Sequence, residues 1–493
     1  MRIRRSALNL QQTSQSWDPI LLWYAKGVRE LQSRAISDPG SWRYQAAMHE
    51  YNSATDPFRS SGQPLPSQAD QNRFWNRCQH GSWFFLSWHR AYLRFFERMI
   101  VAAIIPLGGP VDWALPFWDY SAGPNARKLP LAFQLQTLPD GSPNPLLVPA
   151  PDRTPAANSN GLVGTPPDAD TSVCLGKRQF TNLGVVQQFG GGQTGFMHNG
   201  GVAGACEVTP HGSMHGAVGG FVGWMSAFST AALDPIFWFH HANIDRLWEL
   251  WHRQSLSHTD PTQTLWQTGV VFEFHDENGA VVPITSDQVV DIAAPLMDYD
   301  YEGLPPKPAP PAPLISATPA GGPRGPWMPT PQIIPEMIGA SLGTVTLGSE
   351  PRSVSVAIAP PTGPAALLSK DPGSRSVHLV LENVQAAAAP IETYQVFVNL
   401  PANADPLQNE DLRAGVLPRF GIVEASQANS EHGGTGVNLS YDITKIAATL
   451  ETRKAWDPTR LQVDFVPVRT PGDREGELEI QPVRVGRVSV YYS

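Results

Sequence analysis

The sequence predicts a mainly α N-terminal domain with long irregular loops, followed by an antiparallel β-sandwich or barrel. Three observations predict this. Segments 18–36, 42–52, 83–105, 212–219 and 234–254 carry apolar residues at helical spacing with few internal breakers. Residues 304–332 are rich in proline. Beyond them the apolar pattern changes to a period of two.

Taken in order, the helical segments fall within residues 1–303, where most of the 15 tryptophans lie and imply a large aromatic core. Asp234 and Pro235 read as the cap and first residue of the last helix. Between Gly123 and Gly201, Pro, Gly, Asn and Ser crowd into one long irregular loop, the kind that shapes a site in a compact domain. The stretch LPPKPAPPAPLISATPAGGPRGPWMPTPQ at 304–332 is expected to be an extended linker, because proline fixes φ and lacks an N–H. After it, SVSVAI (353–358), SVHLVLENV (376–384), YQVFVNL (394–400), QVDFVPV (462–468) and VRVGRVSVYY (483–492) alternate as strands, which places a β domain at 333–493.

A net charge of −9 without a basic cluster argues against a nucleic-acid partner. No apolar run approaches the roughly 18 residues that span a bilayer. Three cysteines, Cys78, Cys174 and Cys206, are too few for a disulfide framework. MRIRRSALNLQQTSQSWDP has basic residues but no apolar stretch after them, so a cytoplasmic location is the expectation.

The histidines carry the chemistry. In HGSMH, His211 and His215 are one helical turn apart, roughly 5–6 Å, and can share a metal ion. Alone, such a pair is as well read as surface or capping residues. His240 and His241 lie in an apolar, aromatic helix, where one of them can be a third ligand and Asp245, a turn beyond His241, can steady an imidazole. Each is otherwise a core histidine. His80 and His89 flank Trp83, Phe84, Phe85, Leu86 and Trp88, where an unpaired imidazole is costly to bury. His49, on an earlier helix, completes a second trio.

These residues resemble a known superfamily. His80, Phe85, Leu86, Trp88, His89, Arg90, Leu93 and Glu97 match the copper-A signature shared by tyrosinases, catechol oxidases and hemocyanins. DPIFWFHHANID, from Asp234 to Asp245, resembles the copper-B signature, in a register that makes His241 rather than His240 the ligand. LPFWDY at 115–120 is similar to the family's Pro-Tyr-Trp-Asp-Trp element. The resemblance implies a four-helix bundle around two copper ions, with His49, His80 and His89 on copper A and His211, His215 and His241 on copper B. The other histidines, among them His198, His240, His252, His258, His275, His378 and His432, are expected to be bland. An all-imidazole set suits copper without excluding zinc or nickel.

The resemblance also assigns neighbours. Cys78-x-His80 looks like the fungal tyrosinase and molluscan hemocyanin arrangement in which the cysteine sulfur is bonded to the histidine ring; the bland reading is a small buried thiol. Glu207 looks like the glutamate that holds a water beside copper B and accepts a phenol's proton, against a plain charge at a helix start. Where some monophenol-active members carry Asn, this chain has Gly212, as several plant catechol oxidases do, which argues against strong monophenolase activity. Phe228 stands where plant enzymes place a gate phenylalanine, and reads equally as core. Tyr299 and Tyr301 look like the tyrosine pair that closes the catalytic domain, with Arg29 a possible packing partner.

The function implied is a type-3 copper oxidase that uses O₂ to turn o-diphenols into o-quinones, with monophenol hydroxylation as a further capacity. The β domain, whose QVFVNLP is similar to that of bacterial and plant polyphenol oxidases, is expected to cover the site until the linker is cut. The rival readings are a hemocyanin-like O₂ carrier and an o-aminophenol oxidase; one copper unit in one chain favours an enzyme.

Overall fold

Asp18 opens the first helix: its carboxylate accepts the Ile20 N–H at 2.8 Å, and Pro19 takes the first helical position. The computed structural model describes residues 1–10, 17–198, 201–308, 335–359, 376–388, 392–428, 434–468 and 481–492. Most of the proline-rich stretch and His432 lie outside them.

Helices α1 (Pro19–Ser33) and α2 (Trp42–His49) come first, followed by α3 (Gln68–Phe74) and the twenty-residue α4 (Phe85–Ile104). Among its described residues the long loop holds the short α5 (Pro155–Asn158) and α6 (Ser172–Leu175) and two 3-10 turns, Leu131–Phe133 and Pro166–Ala169. Helices α7 (Ser213–Gly219), α8 (Phe228–Ala231) and α9 (Ile236–Gln254) follow, and two further helices, Ile422–Ser426 and Thr444–Thr452, lie in the β part. Nearly every residue of α4 is buried, because α1 and α9 pack against it and leave little of it to solvent. Helix α9 starts one residue later than its sequence suggests. Pro235 is the cap, while the Asp234 carboxylate accepts the Ile236 N–H at 3.1 Å and pairs with Arg153.

The first strand, β1 (Arg2–Arg4), runs parallel to the segment Tyr299–Tyr301, so the start of the chain is stitched to the end of the helical part. Arg4 is the stitch. Its buried guanidinium lies 3.6 Å over the Tyr299 ring, donates to the Tyr301 hydroxyl at 2.9 Å, and pairs with Glu97 and Asp245. This corrects the expectation for Arg29, which instead bonds Ser142 and the Pro143 carbonyl.

From Glu336 onward the described strands form one nine-stranded antiparallel sheet, as the period-two pattern predicts. Its path starts at Arg413–Leu417 and ends at Val437–Asp442. These two ends approach each other. The Tyr441 hydroxyl donates to the Val416 carbonyl at 2.9 Å, which curls the sheet toward a barrel.

Two hydrophobic cores result, one in each part, and each takes one residue from the other. Phe420 belongs to the helical core, and Val208 belongs to the β core. Among the described residues no helix is long and apolar enough to cross a membrane.

Candidate metal centre

Six predicted histidines reach one place from six pieces of chain. His49 ends α2, a helix capped by the Ser41 hydroxyl accepting the Tyr44 N–H. His80 precedes α4, where its backbone N–H donates to the His198 carbonyl at 3.0 Å. His89 lies one turn inside α4, His215 on α7 and His241 on α9. His211 departs from expectation. It sits in a π-type turn, Glu207–Gly212, in which Thr209 is extended (φ −136°, ψ 120°), so it enters from a kink rather than from the regular helix its spacing suggests.

The rings gather as two trios. His49, His80 and His89 have centroid separations of 5.2, 5.2 and 5.8 Å. His211, His215 and His241 have separations of 4.6, 4.9 and 5.5 Å. The trios abut: His89 stacks on His241 at 4.5 Å, and His80 lies 5.8 Å from His211.

Backbone carbonyls fix which nitrogen points inward. The Nδ1 atoms of His49, His89, His211 and His215 lie 2.8–2.9 Å from the carbonyls of Phe228, Phe85, Glu207 and Met225. Each Nδ1 therefore carries the proton, and each Nε2 is left with a lone pair. The Nε2 atoms of His49, His80, His89 and His211 are buried with no hydrogen-bond partner. Those of His215 and His241 face each other at 3.3 Å. Burial holds the imidazoles neutral, pushing His49 and His211 down to about 3 and the other four well below the ordinary range. Buried lone pairs without donors each cost about 1–3 kcal/mol. A cation between them removes that cost, so the donor set fits two imidazole-loving ions such as copper.

Two histidines expected to be bland are part of this neighbourhood. His240 is fully buried, stacks on His211 at 5.4 Å, and has one ring nitrogen within 4.8 Å of a nitrogen of each copper-B candidate. His198 Nδ1 lies 3.2 Å from Cys78 Sγ, and its Nε2 lies 3.2 Å from Glu50. Cys78 Sγ also lies 3.3 Å from His80 Nδ1.

Asp245 does not steady an imidazole. Its carboxylate is taken up by Arg90, Arg4 and the hydroxyls of Tyr299 and Tyr301. Glu207 Oε1 accepts the Gly81 N–H at 2.7 Å, while Oε2 accepts nothing and burial pushes the carboxyl up to about 8. Phe228 stacks on His80 at 4.2 Å. A Cβ on Gly212 would stand 3.4 Å from the Glu207 carbonyl and 3.8 Å from Pro418, in ordinary contact.

The β part supplies a residue that no local pattern marks. Phe420 lies flat on His215 at 4.0 Å and packs on Phe228 at 4.6 Å. The next residue, Gly421, has φ +77°, and a Cβ there would meet the Phe228 ring at 2.9 Å, so only glycine lets the chain turn this close. Arg419 donates to the Gly216 carbonyl at 3.3 Å. Beneath Phe420 remains a cavity of about 40 Å³, bordered by His80, Glu207, His211 and Phe228, which has room for water but not for a phenol ring.

Residues 39–254 match the common central domain of tyrosinase, and residues 334–493 match a domain of unknown function, DUF7868. The tyrosinase HcTyr1 of Hahella sp. (strain CCB-MM4) is 34% identical over 496 residues, covering 96% of this chain and 97% of that protein. The latent polyphenol oxidase of Prunus armeniaca is 25% identical, over 97% of this chain and 74% of its own length. Among solved structures, latent apple tyrosinase superposes on the whole chain with a TM-score of 0.61 at 21% identity, covering 97% of that chain, which shows a shared fold. The chain belongs to the tyrosinase and polyphenol oxidase family of dicopper phenol oxidases.

Proposed function

We propose that this enzyme is a polyphenol oxidase with catechol oxidase activity as its main reaction, held latent by its own β domain. The division we adopt is a catalytic domain at 1–303, a linker at 304–332 and a shielding domain at 333–493. His49, His80 and His89 would hold copper A, and His211, His215 and His241 would hold copper B. Bound there, the two ions would supply the electrons that reduce O₂ and recover them from the phenolic substrate.

The chain's own groups supply the rest. The carbonyl bonds at Nδ1 orient four of the six imidazoles before any ion arrives, which limits the reorganisation needed on loading. A phenol's pKa of about 10 makes it a poor proton donor near neutral pH. Glu207, which borders the cavity, is the group to take the proton, through a water held there. The face of Phe228 over His80 offers an apolar wall for the substrate ring. Gly212 brings no side-chain amide to hold that water, which favours o-diphenols over monophenols.

One observation carries this reading: six inward-facing imidazole nitrogens lie beneath an aromatic ring delivered by the other domain. O₂ uptake with catechol, the matching monophenol and an o-aminophenol, before and after cutting at 304–332, tests it. Catechol turnover that rises on cutting supports it. O₂ binding without turnover supports the carrier reading instead, and a preference for the aminophenol supports the third. Three buried thiols suit a reducing compartment, so we place the enzyme in the cytoplasm.

A further inference from the structure

The cavity beneath Phe420 has two walls of different origin. The catalytic part brings Ala203 and Val208 to it beside His80, Glu207, His211 and Phe228. The β part faces these with Phe420, Ile422 and Leu439. Val208, the chain neighbour of Glu207, is buried in one apolar cluster with Ile422 and Leu439, and Ala203 packs against the same cluster. An aliphatic surface therefore begins one residue from the group that takes the phenol's proton. Among the described residues that line the cavity there is no Lys or Arg. Arg419, next to Phe420, belongs to the β domain and is turned to the Gly216 carbonyl.

Resting on the catechol oxidase reading above, we propose that Val208 and Ala203 select o-diphenols whose ring carries an apolar, uncharged substituent over those that carry a carboxylate. What the chain itself buries at this place shows the chemistry the place accepts. Phe420 presents a neutral aromatic ring to His215 and Phe228, while Ile422 and Leu439 share an aliphatic cluster with Val208. When the β domain moves aside, Val208 and Ala203 are opened to water. A catechol with a branched alkyl group covers them again, and that burial of apolar surface favours its binding. A carboxylate in the same position loses water and finds no cation to pair with, which costs free energy. Both side chains lie away from the reacting atoms, so they bind substrate and transition state alike and act on KM.

O₂ uptake by the copper-loaded full-length protein, before and after cutting at 304–332, tests this with 4-tert-butylcatechol and 3,4-dihydroxyphenylacetate. The β domain must move aside for either catechol, so the ratio of their kcat/KM values is read. The wild type should favour the alkyl catechol by about tenfold or more, with most of the difference in KM. Val208→Lys should shrink that ratio by about tenfold, chiefly by lowering KM for the carboxylate. Ala203→Lys, which brings a cation to the same wall, serves as the second arm should Val208→Lys not fold. A wild-type ratio near one overturns the selection, and so does an unchanged ratio in whichever variant folds. Turnover of both catechols at equal kcat/KM removes the substrate class alone. Turnover of neither removes the catechol oxidase reading with it.

Discussion

Arg90 and Asp245 form a buried ion pair at 2.5 Å that ties helix α4 to helix α9, each beside a copper-ligand candidate. Arg90 follows His89 directly, and Asp245 lies one turn beyond His241. The pair therefore sets the helical register that stacks those two imidazoles at 4.5 Å. Glu249 takes the other side of Arg90 at 3.0 Å, and Arg4 takes the other oxygen of Asp245 at 3.2 Å.

Removing Asp245 leaves two buried guanidiniums under-compensated. Asp245→Ala should destabilise the copper-free protein by about 3–5 kcal/mol, as expected when one partner of a buried pair is deleted. It should also lower copper retention. Urea unfolding with metal analysis checks both; a loss below about 1 kcal/mol would mean the network is not coupled to the fold.

Phe420 fills the space a phenol ring needs. Phe420→Ala should raise turnover of a bulky o-diphenol by the uncut chain about tenfold or more, because a blocked approach limits kcat/KM rather than chemistry. Steady-state kinetics on cut and uncut protein check this, and the difference between the two forms should shrink. Unchanged latency in the variant would shift the block to another contact, such as Gln187. Its side-chain amide bonds the backbone of Asn438 and Ser440 on the β domain's edge strand at 3.2 and 3.0 Å.

Cys78 Sγ lies 3.3 Å from His80 Nδ1, beside the ring to which the resemblance would link it. The copper-loaded enzyme should yield a Cys78–His80 peptide lighter by two hydrogens, read by mass spectrometry after digestion. A peptide that alkylates fully in active enzyme argues for a plain thiol.

Glu424 sits in the short helix Ile422–Ser426, just after the plug. Burial, then the nearby charge of Glu50, push its carboxyl up to about 7. The folded state thus holds this proton more tightly than the unfolded chain, whose carboxyl titrates near the ordinary 4.5. The contribution to stability is complete below that ordinary value and is lost as pH rises through about 7. Glu424→Gln should flatten the fall in melting temperature of copper-free protein between about pH 5 and 8. An unchanged slope would assign the effect elsewhere.

Most of the fold was readable because its signals are local. Helical apolar spacing marked the five long helical segments, and period-two alternation marked the sheet. The ligand candidates were legible because two long stretches resemble the copper-A and copper-B signatures; taken alone, the same histidines read as well as core or capping residues. The neighbours were harder to find. Nothing in VLPRFGIVE reveals that Phe420 docks on a histidine two hundred residues earlier. Arg4 was hidden for the same reason, since its partners Glu97, Asp245 and Tyr301 meet only in three dimensions. His198 looked bland because its partners, Cys78 and Glu50, come from distant loops.

Copper counted per chain by mass spectrometry, in wild type and in His49→Ala and His241→Ala, tests the centre most directly. The account predicts two ions in the wild type and one or fewer in each variant, since each substitution removes a donor from a different trio. A single ion in the wild type, or two retained in both variants, would contradict it.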